Sequence, residues 1–214
     1  MADHGRSIVC AGPESLARCL LAGRSEEARA ELAASPGAAL RDIAAAARRL
    51  GDFWAEDDCD FFDVARAAGC LGDLLREMGP DQELAPAAHA PAIIVTLAPG
   101  ENHALGADIV ARVFHVAGWR AARCAADGLP DALASEWFDV VGFSLGCERY
   151  AAALPSAIAA ARAASRNRRL AVIVGGAAIA AAPGLGAALG ADSSFAACDI
   201  AVHFPHSLLR ALRL

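Results

Sequence analysis

Four short predicted strands constrain the fold more than any other feature: Ile93–Leu97, Trp119–Cys124, Val140–Ser144 and Leu170–Val174. Stretches with helical spacing separate them. In Leu105–Ala117 the residues Leu105, Ile109, Val113 and Ala117 form one row, and Leu129–Glu136 and Ala151–Ala164 follow the same logic. Strands alternating with helices at this spacing predict a parallel sheet with helices on both faces. A short helix near Gly184–Leu189, a fifth strand at Ile200–Phe204 and a last helix near Ser207–Leu212 complete the expected series. The fold class is α/β, with a flavodoxin-like (Rossmann-like) five-stranded parallel sheet.

The first half reads as helical. Helices are expected over Pro13–Leu21, Ser25–Ala34, Arg41–Trp54 and Phe61–Met78, with Pro36-Gly37 as a break. The expected core stripes are Ile43, Ala46, Ala47, Leu50 and Trp54 on the third helix. On the fourth they are Phe61, Val64, Ala65, Ala68, Leu71, Leu74 and Leu75. Four such helices can form a small bundle. The proline-bearing stretch from Gly79 to Pro91 reads as a linker, which gives a helical domain over 1–85 and an α/β domain over 91–214.

Composition narrows the function. The chain is 56% apolar and 21% charged, so it is globular. Its net charge is −6 and it carries no basic stripe, which argues against direct DNA binding. Seven cysteines, with no Cys-x-x-Cys, read as reduced thiols in a cytoplasmic chain. Leu170–Leu189 is long and apolar, but its paired glycines and Pro183-Gly184 predict strand, turn and helix rather than a membrane span.

The candidate site lies at the expected C-terminal edge of the sheet, where open α/β sheets bind ligands. Glu101, His103 and Gly106 follow the first strand. His103 offers a neutral nitrogen to a metal, and Glu101 can accept from the other ring nitrogen. Gly106 allows close backbone approach. Gly142-Phe143-Ser144-Leu145-Gly146-Cys147 follows the third strand, Gly175-Gly176 the fourth, and Gly190-Ala191-Asp192 comes later. The two adjacent glycines leave room for a ligand tail, and Ser144 can hydrogen-bond a nitrogen on it. Each residue also has a plainer role: His103 as a helix-capping loop residue, Ser144 as a backbone partner, Gly175-Gly176 as a turn, and Trp54 as core. Their order at successive strand ends favours a site.

Glu101-x-His103-x-x-Gly106, Gly142-Phe143-Ser144, Gly175-Gly176 and Gly190-Ala191-Asp192 resemble, in order and spacing, the landmarks of cobalamin-binding domains. The resemblance covers about residues 91–200. It implies cobalamin, in its adenosyl or hydroxo form, with His103 as the lower cobalt ligand. Glu101, Leu105, Gly106, Ser144, Leu145, Gly146, Gly175, Gly176 and Gly190 would be the other contacts in this domain. Glu101 replaces the family's usual aspartate, and Leu145 stands next to Ser144 where the family often has Ser-x-Leu. Further upstream, the run from Trp54 to Phe61 is similar to the AerR/PpaA-type antirepressors of photosynthesis genes in purple bacteria. That likeness implies a helical cap in which Trp54 covers the upper face of the cofactor. It also implies a non-enzymatic, light-responsive regulator that contacts a transcriptional repressor. Three alternatives stay open: a corrinoid carrier of methyl groups for a methyltransferase, a haem sensor using His103 as axial ligand, and a scaffold that binds nothing.

Overall fold

A computed structural model describes residues 12–78, 86–87 and 89–195, with the backbone alone at Pro36. The chain divides into two units, Met1–Gly79 and Pro80–Leu214.

The first unit contains α1 (Pro13–Leu21), α2 (Ser25–Ala34), α3 (Pro36–Ala55) and α4 (Phe61–Glu77). Pro36 was expected to lie in a break. It instead opens α3, because a proline at the first helical position has no N–H to leave unsatisfied. Leu16, Leu20, Ile43, Leu50, Phe53 and Leu71 are fully buried. On α3 the buried row runs through residues 43, 46, 50 and 53. Phe53 therefore takes the core position expected for Trp54, which is 56% exposed. The guanidinium groups of Arg18 and Arg49 stack on the Phe53 ring at 4.4 and 4.2 Å. Asp57, with φ 59°, sits just past the end of α3, and the Asp60 carboxylate caps α4 by accepting from Asp63 N at 2.8 Å. Phe61 was expected in the core stripe of α4. It lies at the first position of the helix and is 62% exposed, while Ala67, Leu71, Leu74 and Leu75 are buried.

The described part of the second unit contains β1 (Ala92–Leu97), α5 (Leu105–Val116), β2 (Arg120–Arg123), α6 (Leu129–Ser135) and β3 (Val140–Ser144). It continues with α7 (Leu154–Ala164), β4 (Ala171–Gly175), α8 (Ala177–Ala181), α9 (Leu185–Ala188) and β5 (Ser193–Phe195). A 3-10 turn, Glu148–Ala153, leads into α7. All strand pairs are parallel, in the order β2-β1-β3-β4-β5. The fold is therefore the expected five-stranded parallel α/β sheet. The fifth strand is Ser193–Phe195. The stretch Ile200–Phe204 and the expected last helix lie outside the described residues.

Strand alternation sorts the core into two faces. Ile94, Val141, Phe143, Val172 and Val174 pack with Leu129 and Leu133 of α6 and Leu154 and Ile158 of α7. Ile93, Val95, Val140 and Ile173 pack with Ala107, Ala111 and Phe114 of α5 and with Trp119. Phe114 and Trp119 meet edge to face, 4.9 Å between ring centroids. Among the described residues Cys59, Cys70, Cys124 and Cys147 are free thiols. No helix among the described residues is long and apolar enough to cross a membrane.

The exit of β4 is the most restrictive backbone position. Gly176 has φ 119°, and a Cβ there would lie 2.3 Å from the Leu145 carbonyl oxygen. Gly176→Ala should therefore lower unfolding stability by about 2 kcal/mol or more. Urea titration followed by circular dichroism checks this; an unchanged midpoint would contradict the packing described.

Candidate functional site

The site is built on the Glu101 carboxylate. Ala98 ends the β1 strand region, and Glu101 N donates to Ala98 O at 2.9 Å, which turns the chain back over the sheet. That turn buries the Glu101 side chain completely. Oε1 accepts from Asn102 N at 2.8 Å, His103 N at 3.1 Å and His103 Nδ1 at 2.5 Å. Oε2 reaches across to the β3 loop and accepts from Gly146 N at 3.0 Å and Cys147 N at 2.9 Å. Burial pushes the carboxyl pKa up. The hydrogen bonds from His103 N, Asn102 N, the His103 ring and Cys147 N outweigh it, so the net position is below the usual carboxylate range.

An ionised carboxylate only accepts hydrogen bonds, so Nδ1 of His103 must be the donor. The lone pair of the neutral ring is then on Nε2. The His103 side chain is 68% exposed, so the ring stands free of the sheet edge. Among the described residues no three metal-ligating side chains converge. His103 is thus a lone exposed imidazole, which could complete the coordination of a metal that arrives with its other ligands.

The neighbouring loops are fastened to this turn. Ala98 N donates to Ser144 O at 2.9 Å, Leu145 N to Gly175 O at 2.7 Å and Ala178 N to Leu145 O at 3.2 Å. A Cβ at Gly146 would sit 3.1 Å from Glu101 Oε2 and 3.4 Å from His103 Cβ, so glycine permits the approach. On the α5 side of the sheet, β3 and β4 end in small residues. Gly142, Ser144 and Gly175 share that face by alternation, and Ser144 lies between Leu97 and Gly175 in register. Ser144 Oγ faces Gly106 near the start of α5, 3.6 Å from where a Cβ would be. The result is a strip of small side chains ending in one hydroxyl, beside a free imidazole.

The structure therefore brings Glu101, His103, Gly106, Ser144, Gly146, Gly175 and Gly176 together, with half-buried Leu105 at the first position of α5. Two expected contacts are placed otherwise. The Leu145 side chain is fully buried in the α6–α7 core, so Leu145 serves the site through its backbone. Gly190 precedes β5 at the opposite, N-terminal edge of the sheet, where Asp192 accepts from Val172 N at 2.7 Å and from Arg162 Nη2 at 2.9 Å. Trp54 belongs to the first unit, where it is exposed. Tyr150 was missed: its ring packs 3.2 Å from the Cβ position of Gly100 (φ 82°) and so braces the β1 loop. It is the only tyrosine in the chain, but no local pattern marks it as a partner of Gly100.

Residues 91–197, half of the chain, match the family model described as B12 binding domain. The chain belongs to the B12-binding domain family. The small-residue strip and the oriented imidazole of this B12-binding domain fit a corrinoid with one protein-derived axial ligand. The solved structure of the Methanosarcina barkeri monomethylamine corrinoid protein is similar in fold, with a TM-score of 0.71 and 13% identity over 90% of this chain and 96% of that one. A cobalamin-binding protein from Desulfitobacterium hafniense DCB-2 is also similar, at a TM-score of 0.47 and 16% identity over 94% of this chain and 98% of that one. No curated protein matches the sequence.

Glu101→Gln tests the turn. Glutamine places an N–H₂ where one pair of backbone donors needs an acceptor, which should cost roughly 1–3 kcal/mol at neutral pH. The sign of the pH dependence follows from the lowered pKa of Glu101. Its stabilisation is fully present above the unfolded carboxylate value, about 4.3, and is lost as pH falls through the lower folded value. Denaturant titrations from about pH 7 down into the acid range should therefore show a shallower acid loss in Glu101→Gln than in the wild type. Parallel curves would show that Glu101 is not held ionised.

Proposed function

We propose that this protein is a cobalamin-dependent sensory regulator that changes its affinity for a transcriptional repressor protein, without a catalytic site of its own. The observation that carries the cofactor part is the Glu101–His103 pair: a buried carboxylate orients an exposed imidazole with its Nε2 lone pair outward. Cobalamin supplies a cobalt–carbon bond that light can break when the upper group is an alkyl. His103 would hold the metal through Nε2, and Glu101 would keep the Nδ1 proton in place and the ring oriented. Ser144, Gly106, Gly142 and Gly175, whose side chains are small or absent, would be the residues that hold the nucleotide tail. The hydrogen bonds from Gly146 N and Cys147 N join any movement of Glu101 to the β3 loop. A signal leaves such a site only if the partner binds the two cofactor states with different affinity.

Two observations support the regulatory part. The net charge of −6 suits a protein partner better than DNA. Trp54, Phe61 and Phe62 are 56%, 62% and 80% exposed beside Asp57, Asp58 and Asp60, an aromatic surface of the kind that anchors interfaces. A second reading, a carrier of methyl groups to a methyltransferase, is favoured by the fold likeness to the monomethylamine corrinoid protein over 90% of this chain. It requires the same His103 and the same turn.

Absorption spectra after incubation with hydroxocobalamin, adenosylcobalamin and haemin, in the dark and after illumination, test the cofactor. The wild type should retain a corrin spectrum, and His103→Ala should shift it and weaken binding by at least about tenfold, or about 1.4 kcal/mol. Retention of haemin alone would replace the cofactor assignment. Repressors encoded in the same genome should then bind the dark and illuminated forms unequally. Equal binding, together with methyl transfer to an added methyltransferase, would establish the carrier instead.

A further inference from the structure

Pairing between β1 and β2 ends at Val95 and Arg123, and beyond it a groove of about 430 Å³ opens between the loops that follow the two strands. Its apolar walls include Leu97 and Ala98, and its polar lining comprises Glu101, Asp108, Arg123 and Cys124. Glu101 is the residue that holds His103, so the groove begins where the cofactor site ends. It is too small for a whole corrinoid and large enough for a group on a corrinoid's rim.

Arg123 is fixed in place. Its Nη1 donates to Val95 O at 2.8 Å and its Nε to Asp108 Oδ1 at 2.8 Å. Thr96 Oγ1 donates to Cys124 O at 3.1 Å and steadies the next residue. The ion pair is partly exposed, at 28% and 47% of the two side chains, so it adds little to stability. Neither Arg123 Nη2 nor Asp108 Oδ2 is used in these bonds. An N–H donor and a carboxylate acceptor thus stand side by side in a groove beside the axial histidine. A primary carboxamide offers the matching pair, a carbonyl to accept and an NH₂ to donate. A carboxylate satisfies the arginine only, and Asp108 repels it.

We propose that this groove is a subsite for one peripheral carboxamide of the corrinoid, with Arg123 donating to its carbonyl and Asp108 accepting from its NH₂. The inference rests on the cobalamin reading of the His103 site and extends it from the metal to the rim of the ring. It also supplies discrimination, because the rim of cobalamin carries primary amides whereas the polar rim groups of haem are carboxylates.

The test compares hydroxocobalamin with its purified monocarboxylic acids, in each of which one rim amide is hydrolysed. Dissociation constants are measured by absorption titration for the wild type and for Asp108→Asn. At least one monocarboxylic acid should bind the wild type roughly tenfold more weakly than hydroxocobalamin. Asp108→Asn should recover most of that loss, since asparagine keeps the shape and removes the repelling charge. If all derivatives bind alike, or if the penalty is the same in Asp108→Asn, the subsite is wrong while the His103 reading stands. If no corrinoid binds at all, both fail.

Discussion

One buried carboxylate organises the edge of the sheet on which everything functional depends. Glu101 accepts from five N–H groups on two loops. Burying a charge is costly unless it is fully hydrogen-bonded. Here the backbone supplies four of the five donors, so the charge is compensated by groups that themselves need partners. The fifth donor is the His103 ring. The same interaction therefore closes the β1 turn, anchors the β3 loop and sets the tautomer of the histidine. Glutamate rather than aspartate gives the carboxylate one more methylene of reach, and its Oε2 spans to Gly146 and Cys147.

The glycines around this carboxylate have different jobs. Gly146 lets a loop come within hydrogen-bonding distance of Glu101. Gly176 holds a backbone conformation that leaves no space for a side chain against Leu145. Gly142 and Gly175 are ordinary extended residues whose missing side chains clear one face of the sheet next to Ser144. The last two keep one face of the sheet free of large side chains next to Ser144; the first two make the rigid frame beside it. Within that frame His103 and Cys147 are joined through the one carboxylate that both donate to.

Much of this was legible from the sequence, for physical reasons. Apolar strands separated by amphipathic helices leave few topologies besides a parallel sheet, and strand ends fix where a histidine and several glycines must gather. Periodicity was less informative in the helical unit. Phe53 and Trp54 are adjacent and both aromatic, and hydrophobicity cannot tell which one faces inward. The packing of Arg18 and Arg49 on Phe53 settles it. Pro36 was read as a stop because a proline ends one helix and starts another with equal ease. Leu145 looked like a site residue by adjacency, yet alternation sends its side chain to the opposite face. Gly190 looked like one by its order in a motif, yet it precedes a parallel strand and so must lie at the far edge. Tyr150 and the Arg123–Asp108 pair were invisible because they depend on contacts between loops distant in sequence.

The arrangement also bears on how a corrinoid protein can be a sensor or a carrier without changing its fold. In both roles the lower face must be held rigidly, and the Glu101 turn fixes the histidine that would do so. What differs is what the partner protein recognises. A carrier must leave the reactive metal accessible to an enzyme, whereas a sensor must present a surface whose affinity changes with cofactor state. Trp54, Phe61 and Phe62 are exposed in the first unit near the junction of α3 and α4, where Glu56 ends one helix and Asp60 caps the next. Helix ends are where a bundle can change with the least loss of packing. Exposed aromatic side chains at such a junction would let a partner protein sense a change in the bundle, and that is the support the first unit lends to the proposed regulatory role.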